Sequence, residues 1–205
     1  MDIREFKLNY LYEAAGLSKQ QREKRRLFAD ADGTDLPEFK ELAGISSDMA
    51  RFVESGESLY LHSPNCGNGK TSWALRLMQC YFEQRCMSLS LGCHGLFVSV
   101  PRYLREVKEN ISQRSDYIAE VRESVGKADL VIWDDIATKQ ASAFDAEQLL
   151  SIIDERIASG KANIYTSNIR DDELHLFVGD RLASRISGST YNIELHGSDK
   201  RGIAK

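Results

Sequence analysis

Five short apolar runs, each followed by a helical or loop stretch, constrain this chain more than any other feature. SLYLHS (58–63), GLFVSV (95–100), ADLVIWDD (128–135), ANIYTSN (162–168) and STYNIEL (189–195) have the length and composition of strands. Between them lie stretches with helical signals. Thr71–Gln84 carries Trp73, Ala74, Leu77 and Tyr81, and PRYLREVKENI begins with proline at the first helical position. FDAEQLLSIIDERIAS is amphipathic and stops at Gly160, and DDELHLFV and RLASRI read as two further helices. Strands that alternate with helices pair in parallel, because each helix carries the chain back across the sheet. The expected fold is α/β, with a mostly parallel five-stranded sheet between two helical layers. A chain of 205 residues with 42% hydrophobic residues is long enough to bury such a core.

Residues 1–45 lack this order. LSKQQREKRRLF and the turn-rich ADADGTDLPEF read as short helices and loops, an appendage to a domain spanning 46–205. Its basic run (Lys19, Arg22, Lys24, Arg25, Arg26) fits a partner-binding helix, a DNA-binding patch or a solvated surface. The net charge is −4, so any nucleic-acid contact needs a local basic patch. Arg102, Tyr103, Arg105 and Lys108 form one candidate: the cations would track a phosphate backbone and the aromatic would stack a base. Glu106 and Glu109 dilute that charge, and a solvated helix face accounts for it as well. No apolar run reaches the roughly 18 residues of a membrane span, and no signal-peptide block opens the chain, so a cytoplasmic protein is expected. Cys66, Cys80, Cys86 and Cys93 contain no C-x-x-C pair and are read as reduced thiols rather than a zinc site.

The chemistry centres on LHSPNCGNGKTS (61–72), which follows a strand and opens a helix. That context suits a phosphate-binding loop, whose backbone N–H groups and helix N-terminus surround a polyphosphate. Asn65, Cys66, Gly67, Asn68, Gly69, Lys70, Thr71 and Ser72 are the candidate nucleotide ligands. Lys70 would neutralise β- and γ-phosphate charge, and the Thr71 hydroxyl would ligate Mg²⁺. Pro64 stands where the full loop pattern has its first glycine, at the loop entrance. LVIWDD supplies a second motif. Asp134 is placed to hold Mg²⁺ and Asp135 to orient or deprotonate an attacking water, since strand ends of parallel sheets face the ligand crevice. Asn168, at the tip of IYTSN, could position that water, with Thr166 or Ser167 assisting. Arg181 and Arg185 in GDRLASRISG are four apart and share a helix face.

SPNCGNGKTS, LVIWDD, YTSN and RLASRI occur in the order of the AAA+ ATPase motifs. ADLVIWDDIA, YTSN and GDRLASRI more narrowly resemble the DnaC/DnaI family of replicative helicase loaders, above all its phage-encoded members, and the related transposon ATPase IstB shares much of the pattern. The resemblance covers about residues 50–202. It implies that Lys70 and Thr71 bind ATP and Mg²⁺, that Asp134 is the metal-associated acid and Asp135 the catalytic acid, and that Asn168 is the first sensor. It implies that Arg185, with Arg181 in reserve, is an arginine finger acting on a neighbouring subunit's ATP, and that Arg201 in HGSDKRG is a second sensor. Asp135 stands where many AAA+ proteins carry glutamate, which implies slow or partner-stimulated hydrolysis. The sequence ends four residues after Arg201, so a full helical lid domain is not expected. The implied partners are a hexameric replicative helicase, single-stranded DNA and further copies of the chain, in a bacterial or phage-infected cell.

The leading expectation is thus an ATP-dependent helicase loader for DNA replication. An IstB-like transposition ATPase acting on duplex DNA is the alternative. An adaptor that titrates a host loader or helicase, using nucleotide only structurally, belongs to another class. A small-molecule kinase would need an acceptor pocket and a mobile lid that no motif supplies.

Overall fold

The structure, a computed structural model, describes residues 2–23, 27–110 and 116–200. Its five strands are β1 (Ser58–His62), β2 (Gly95–Ser99), β3 (Leu130–Asp134), β4 (Ala162–Ser167) and β5 (Tyr191–Glu194). They form one sheet in the order β2-β3-β4-β1-β5, and every pairing is parallel. β1, β3 and β4 are buried along their whole length, as expected for strands covered on both faces. The α/β architecture with a parallel five-stranded sheet expected from the sequence is the one observed.

The period-two alternation of the strands divides the core. Leu59, Leu61, Ile132 and Ile164 point to one layer, and Tyr60, Val131, Trp133 and Tyr165 to the other. The first layer contains α1 (Ile3–Ala14), α3 (Leu36–Ser47), α4 (Met49–Glu54) and α5 (Lys70–Arg85), with the short α2 (Lys19–Arg22) preceding α3. The second contains α6 (Val100–Glu109), α7 (Asp116–Lys127), α8 (Ala143–Ala158), α9 (Leu174–Val178) and α10 (Asp180–Ser187). α8 begins on a reciprocal cap in which the Ser142 hydroxyl accepts from the Asp145 N–H while the Asp145 carboxylate accepts from the Ser142 N–H.

The segment before residue 46 contributes to this packing. Leu11, Tyr12, Ala15, Leu17 and Leu42 are buried within the same cluster as the β1 and α5 side chains. The Phe97 N–H of edge strand β2 donates to the Ala15 carbonyl at 2.9 Å, so the chain after α1 covers part of that edge. α3 and α7, which the sequence reading did not single out, complete the two layers.

One buried cation links the second layer to the sheet. Arg156 of α8 is 1% exposed, and its guanidinium donates to the Val125, Ala128, Asp129 and Ala162 carbonyls and to Asn163 Oδ1. Asn163 Oδ1 also accepts from Trp133 Nε1 at 3.0 Å. Burial lowers the Arg156 pKa to about 10, which leaves it charged at neutral pH.

Candidate nucleotide-binding site

The loop between β1 and α5 sits at the carboxyl edge of the sheet, beside the ends of β3 and β4. Gly69 caps α5 with φ 101°, a left-handed conformation open to glycine without steric cost. Gly67, at φ 80°, has a second reason to lack a side chain: a Cβ there would lie 1.9 Å from Asp199 Oδ1. Asn68 is 3% exposed, and its amide donates to Ser63 Oγ and to the Leu195 carbonyl, which ties the loop to the chain leaving β5. Pro64 is exposed at the loop entrance, outside these bonds.

Lys70 is 7% exposed, with its ammonium donating to the Asn65 carbonyl at 2.8 Å and to Ser63 O and Asn68 Oδ1 at 3.3 Å. The loop thus gathers a buried positive charge at the start of a 16-residue helix, where a polyphosphate is favoured.

Asp134 and Thr71 meet directly. Thr71 Oγ1 donates to Asp134 Oδ1 at 2.8 Å, and Thr166 Oγ1 donates to the same oxygen at 2.8 Å. Burial raises the Asp134 pKa above the usual carboxylate range, against these two donors, which pull it down. A hydroxyl and a buried carboxylate in contact are hard oxygen donors, and a divalent cation would relieve the cost of the buried charge. The residues therefore fit Mg²⁺.

The next residue, Asp135, is the one described non-glycine residue with positive φ, at 59°. Its N–H donates to Thr166 Oγ1 at 3.0 Å, so Thr166 holds both acids at once. Aspartate and asparagine tolerate this conformation better than longer side chains, which accounts in backbone terms for the shorter acid.

A cavity of about 330 Å³ opens over these groups. Cys66, Gly67, Asn68, Gly69, Lys70, Thr71, Ser72, Asp135 and Asn168 line it, so the structure brings most of the sequence candidates together. Asn65 joins them through its carbonyl on Lys70, and Asp134 through Thr71. Arg201 lies outside the described residues.

The sequence reading missed four walls of this cavity: Leu27, Phe28, Trp73 and Lys200. Lys200 Nζ bonds the Phe28 carbonyl at 2.8 Å and the Asp35 carboxylate, lies 3.6 Å from Asp30, and sits 5.5 Å from the Phe28 ring centroid. Its backbone N–H donates to the Gly67 carbonyl at 3.0 Å. Trp73 was legible only as a core residue of α5. Leu27 and Phe28 end the basic run without any periodicity.

Arg181 and Arg185 are exposed on α10 and line a separate groove of about 480 Å³ that shares no residue with the cavity. Arg185 pairs with Asp154 of α8 at 2.9 Å.

The expected DNA face needs one correction. Tyr103 is fully buried, because Val100, Tyr103, Leu104 and Val107 form the apolar stripe of α6 at i, i+3, i+4, i+7. It is core and cannot stack a base. Arg102 and Arg105 are exposed, and Arg102 lies 4.6 Å over the ring of Tyr117 on α7. Lys108 is engaged by the nearly buried Asp145 at 2.7 Å.

The cysteines are dispersed: Cys66 is exposed, Cys80 and Cys86 are buried, and no group of three or more His, Cys, Asp or Glu able to hold a metal occurs among the described residues. No helix among the described residues is long and apolar enough to cross a membrane.

This geometry agrees with what the chain is similar to. An ATP-binding protein in an insertion sequence of Mycobacterium tuberculosis, Rv3427c, is 28% identical over 200 residues, taking in 92% of this chain and 75% of the relative. Among solved structures, the DnaC helicase loader superposes with a TM-score of 0.69 at 17% identity, over 87% of this chain and 99% of that one. DnaI does so with a TM-score of 0.65 at 21% identity, over 82% of this chain and 88% of that one. These two likenesses establish a shared fold. The family of IstB-like ATP-binding proteins matches residues 3–187, most of the length, and the chain belongs to that family.

Proposed function

We propose that this protein is an ATP-dependent helicase loader that hydrolyses ATP between neighbouring subunits and engages single-stranded DNA. The observation that carries the reading is the separation of two half-sites on one chain. Lys70, Thr71, Asp134, Asp135 and Asn168 converge on the nucleotide cavity, while Arg185 stands in a groove that shares no residue with it. A second copy would bring Arg185 to this cavity, which has no arginine among its described lining residues.

In the mechanism, the loop N–H groups and Lys70 bind the phosphates, and Thr71 and Asp134 would hold Mg²⁺, which would neutralise charge developing on the transferred phosphoryl group. Asp135 orients the attacking water and accepts its proton, and Asn168 fixes that water from the neighbouring strand tip. Arg185 of the next subunit stabilises the transition-state charge. Hydrolysis then weakens the subunit contact, because the γ-phosphate that bridges the copies is gone. The motifs YTSN and RLASRI and the superposition on DnaC and DnaI support the loader reading. The insertion-sequence relative favours a second reading, an ATPase that assembles on duplex DNA during transposition.

Fluorescence anisotropy of a labelled single strand, titrated in ATP-Mg²⁺ and in ADP-Mg²⁺ with a duplex competitor, tests both. The loader reading expects tighter binding in ATP, a preference for the single strand, and weaker binding by Arg185→Ala. Duplex preference would transfer the assignment to the transposition ATPase. Absence of binding in either nucleotide would refute intrinsic DNA engagement.

A further inference from the structure

We propose that Asp154 is a positioning residue that presents the Arg185 guanidinium to a neighbouring subunit's nucleotide. The inference rests on the reading of Arg185 as a group acting between subunits. Asp154 lies on α8 between Leu150 and Ile157, at i−4 and i+3, and all three line the groove against α10. Leu150 and Ile157 pack on the core, so a carboxylate interrupts an otherwise apolar stripe.

The contact is made through Nε, which lies 2.9 Å from Asp154 Oδ1. An arginine has five N–H donors. The approach is an ion pair without an Nε–H hydrogen bond, and it leaves the two terminal nitrogens, the fork that grips a phosphate in two-pronged fashion, for another acceptor. The Arg185 side chain remains 59% exposed and that of Asp154 40% exposed, so the pair stands at the surface where a second subunit can meet it. An exposed pair of this kind contributes little to stability. Its effect is to narrow the rotamers of a long side chain before the partner arrives, so less ordering remains to be done at assembly. Arg181, one turn earlier on α10, lines the same groove without an ion pair to Asp154. The carboxylate therefore distinguishes Arg185 as the residue held for use.

The test uses mixed assemblies of the full chain. Lys70→Ala subunits lack a working loop but carry Arg185; Arg185→Ala subunits bind ATP but lack the finger. Mixing the two restores hydrolysis if Arg185 acts between subunits. Asp154→Ala is then added to one kind of subunit at a time. Placed on the Lys70→Ala subunit, it lowers the restored rate about tenfold, without changing the KM for ATP. Placed on the Arg185→Ala subunit, it leaves the restored rate unchanged. Asp154→Glu, which keeps a negative charge beside the guanidinium, recovers most of the rate. Equal losses from both placements would mean that Asp154 acts through the fold and would overturn the proposal alone. Failure of the parent mixture to restore hydrolysis would refute the intersubunit reading and the proposal with it.

Discussion

At the residue scale, the buried carboxylate of Asp134 opposes stability. Its carboxylate is 8% exposed, and burial raises its pKa despite the hydroxyl donors Thr71 and Thr166. An acid with a raised folded pKa holds its proton more tightly in the folded state. Below the unfolded pKa the group is neutral in both states and costs nothing. As pH rises through the unfolded value and past the folded one, charge is forced into a buried site and stability falls. Asp134→Asn removes that charge. At pH 7 without nucleotide or metal, thermal melting should place the variant about 2–4 °C above the parent chain. The gap should close as pH falls to about 3.5. Added ATP-Mg²⁺ should reverse the order, because the parent gains ligand stabilisation that the variant loses.

At the element scale, the second layer depends on Arg156. Its five hydrogen bonds satisfy carbonyls at the end of α7 and at the starts of β3 and β4. Arg156→Met preserves much of the volume and removes the guanidinium donor from four backbone carbonyls, while Asn163 Oδ1 keeps Trp133 Nε1. We expect a loss of about 3 kcal/mol in urea unfolding, read as a lower midpoint with an unchanged slope. Nothing in FDAEQLLSIIDERIAS announces this role, because an arginine near a helix C-terminus ordinarily reads as a favourable dipole partner. The strands, by contrast, were legible, since β1, β3 and β4 are covered on both faces and appear as short, largely apolar runs. Tyr103 shows the opposite outcome: Arg102 precedes it and Arg105 follows two positions on, but its helical register with Val100 and Val107 sets its environment. The phosphate loop and the two acids were readable because their chemistry lies in contiguous motifs. Phe28 and Lys200 were not, because each enters the cavity through contacts with residues far along the chain.

At the scale of the whole molecule, the nucleotide cavity is walled by segments from opposite regions of the sequence. Ser198 bonds Asp30 across 168 positions, and Lys200 bonds the Phe28 carbonyl across 172. The strand that ends in the acids pairs with its near neighbour in sequence, β2, and the loop's strand β1 pairs with β4, at separations shorter than those that close the wall. Contacts between distant positions require closure of long loops and form late when nothing local nucleates them. The framework of the site and its wall should therefore mature on different clocks. In stopped-flow refolding, far-UV ellipticity should recover before the capacity to bind a fluorescent ATP analogue. Asp30→Ala, which releases Ser198, should widen the interval between the two signals while leaving the first unchanged; coincident recovery would show that wall and sheet form in one step. A chain emerging from synthesis would accordingly hold its phosphate loop in place before it could retain a nucleotide there.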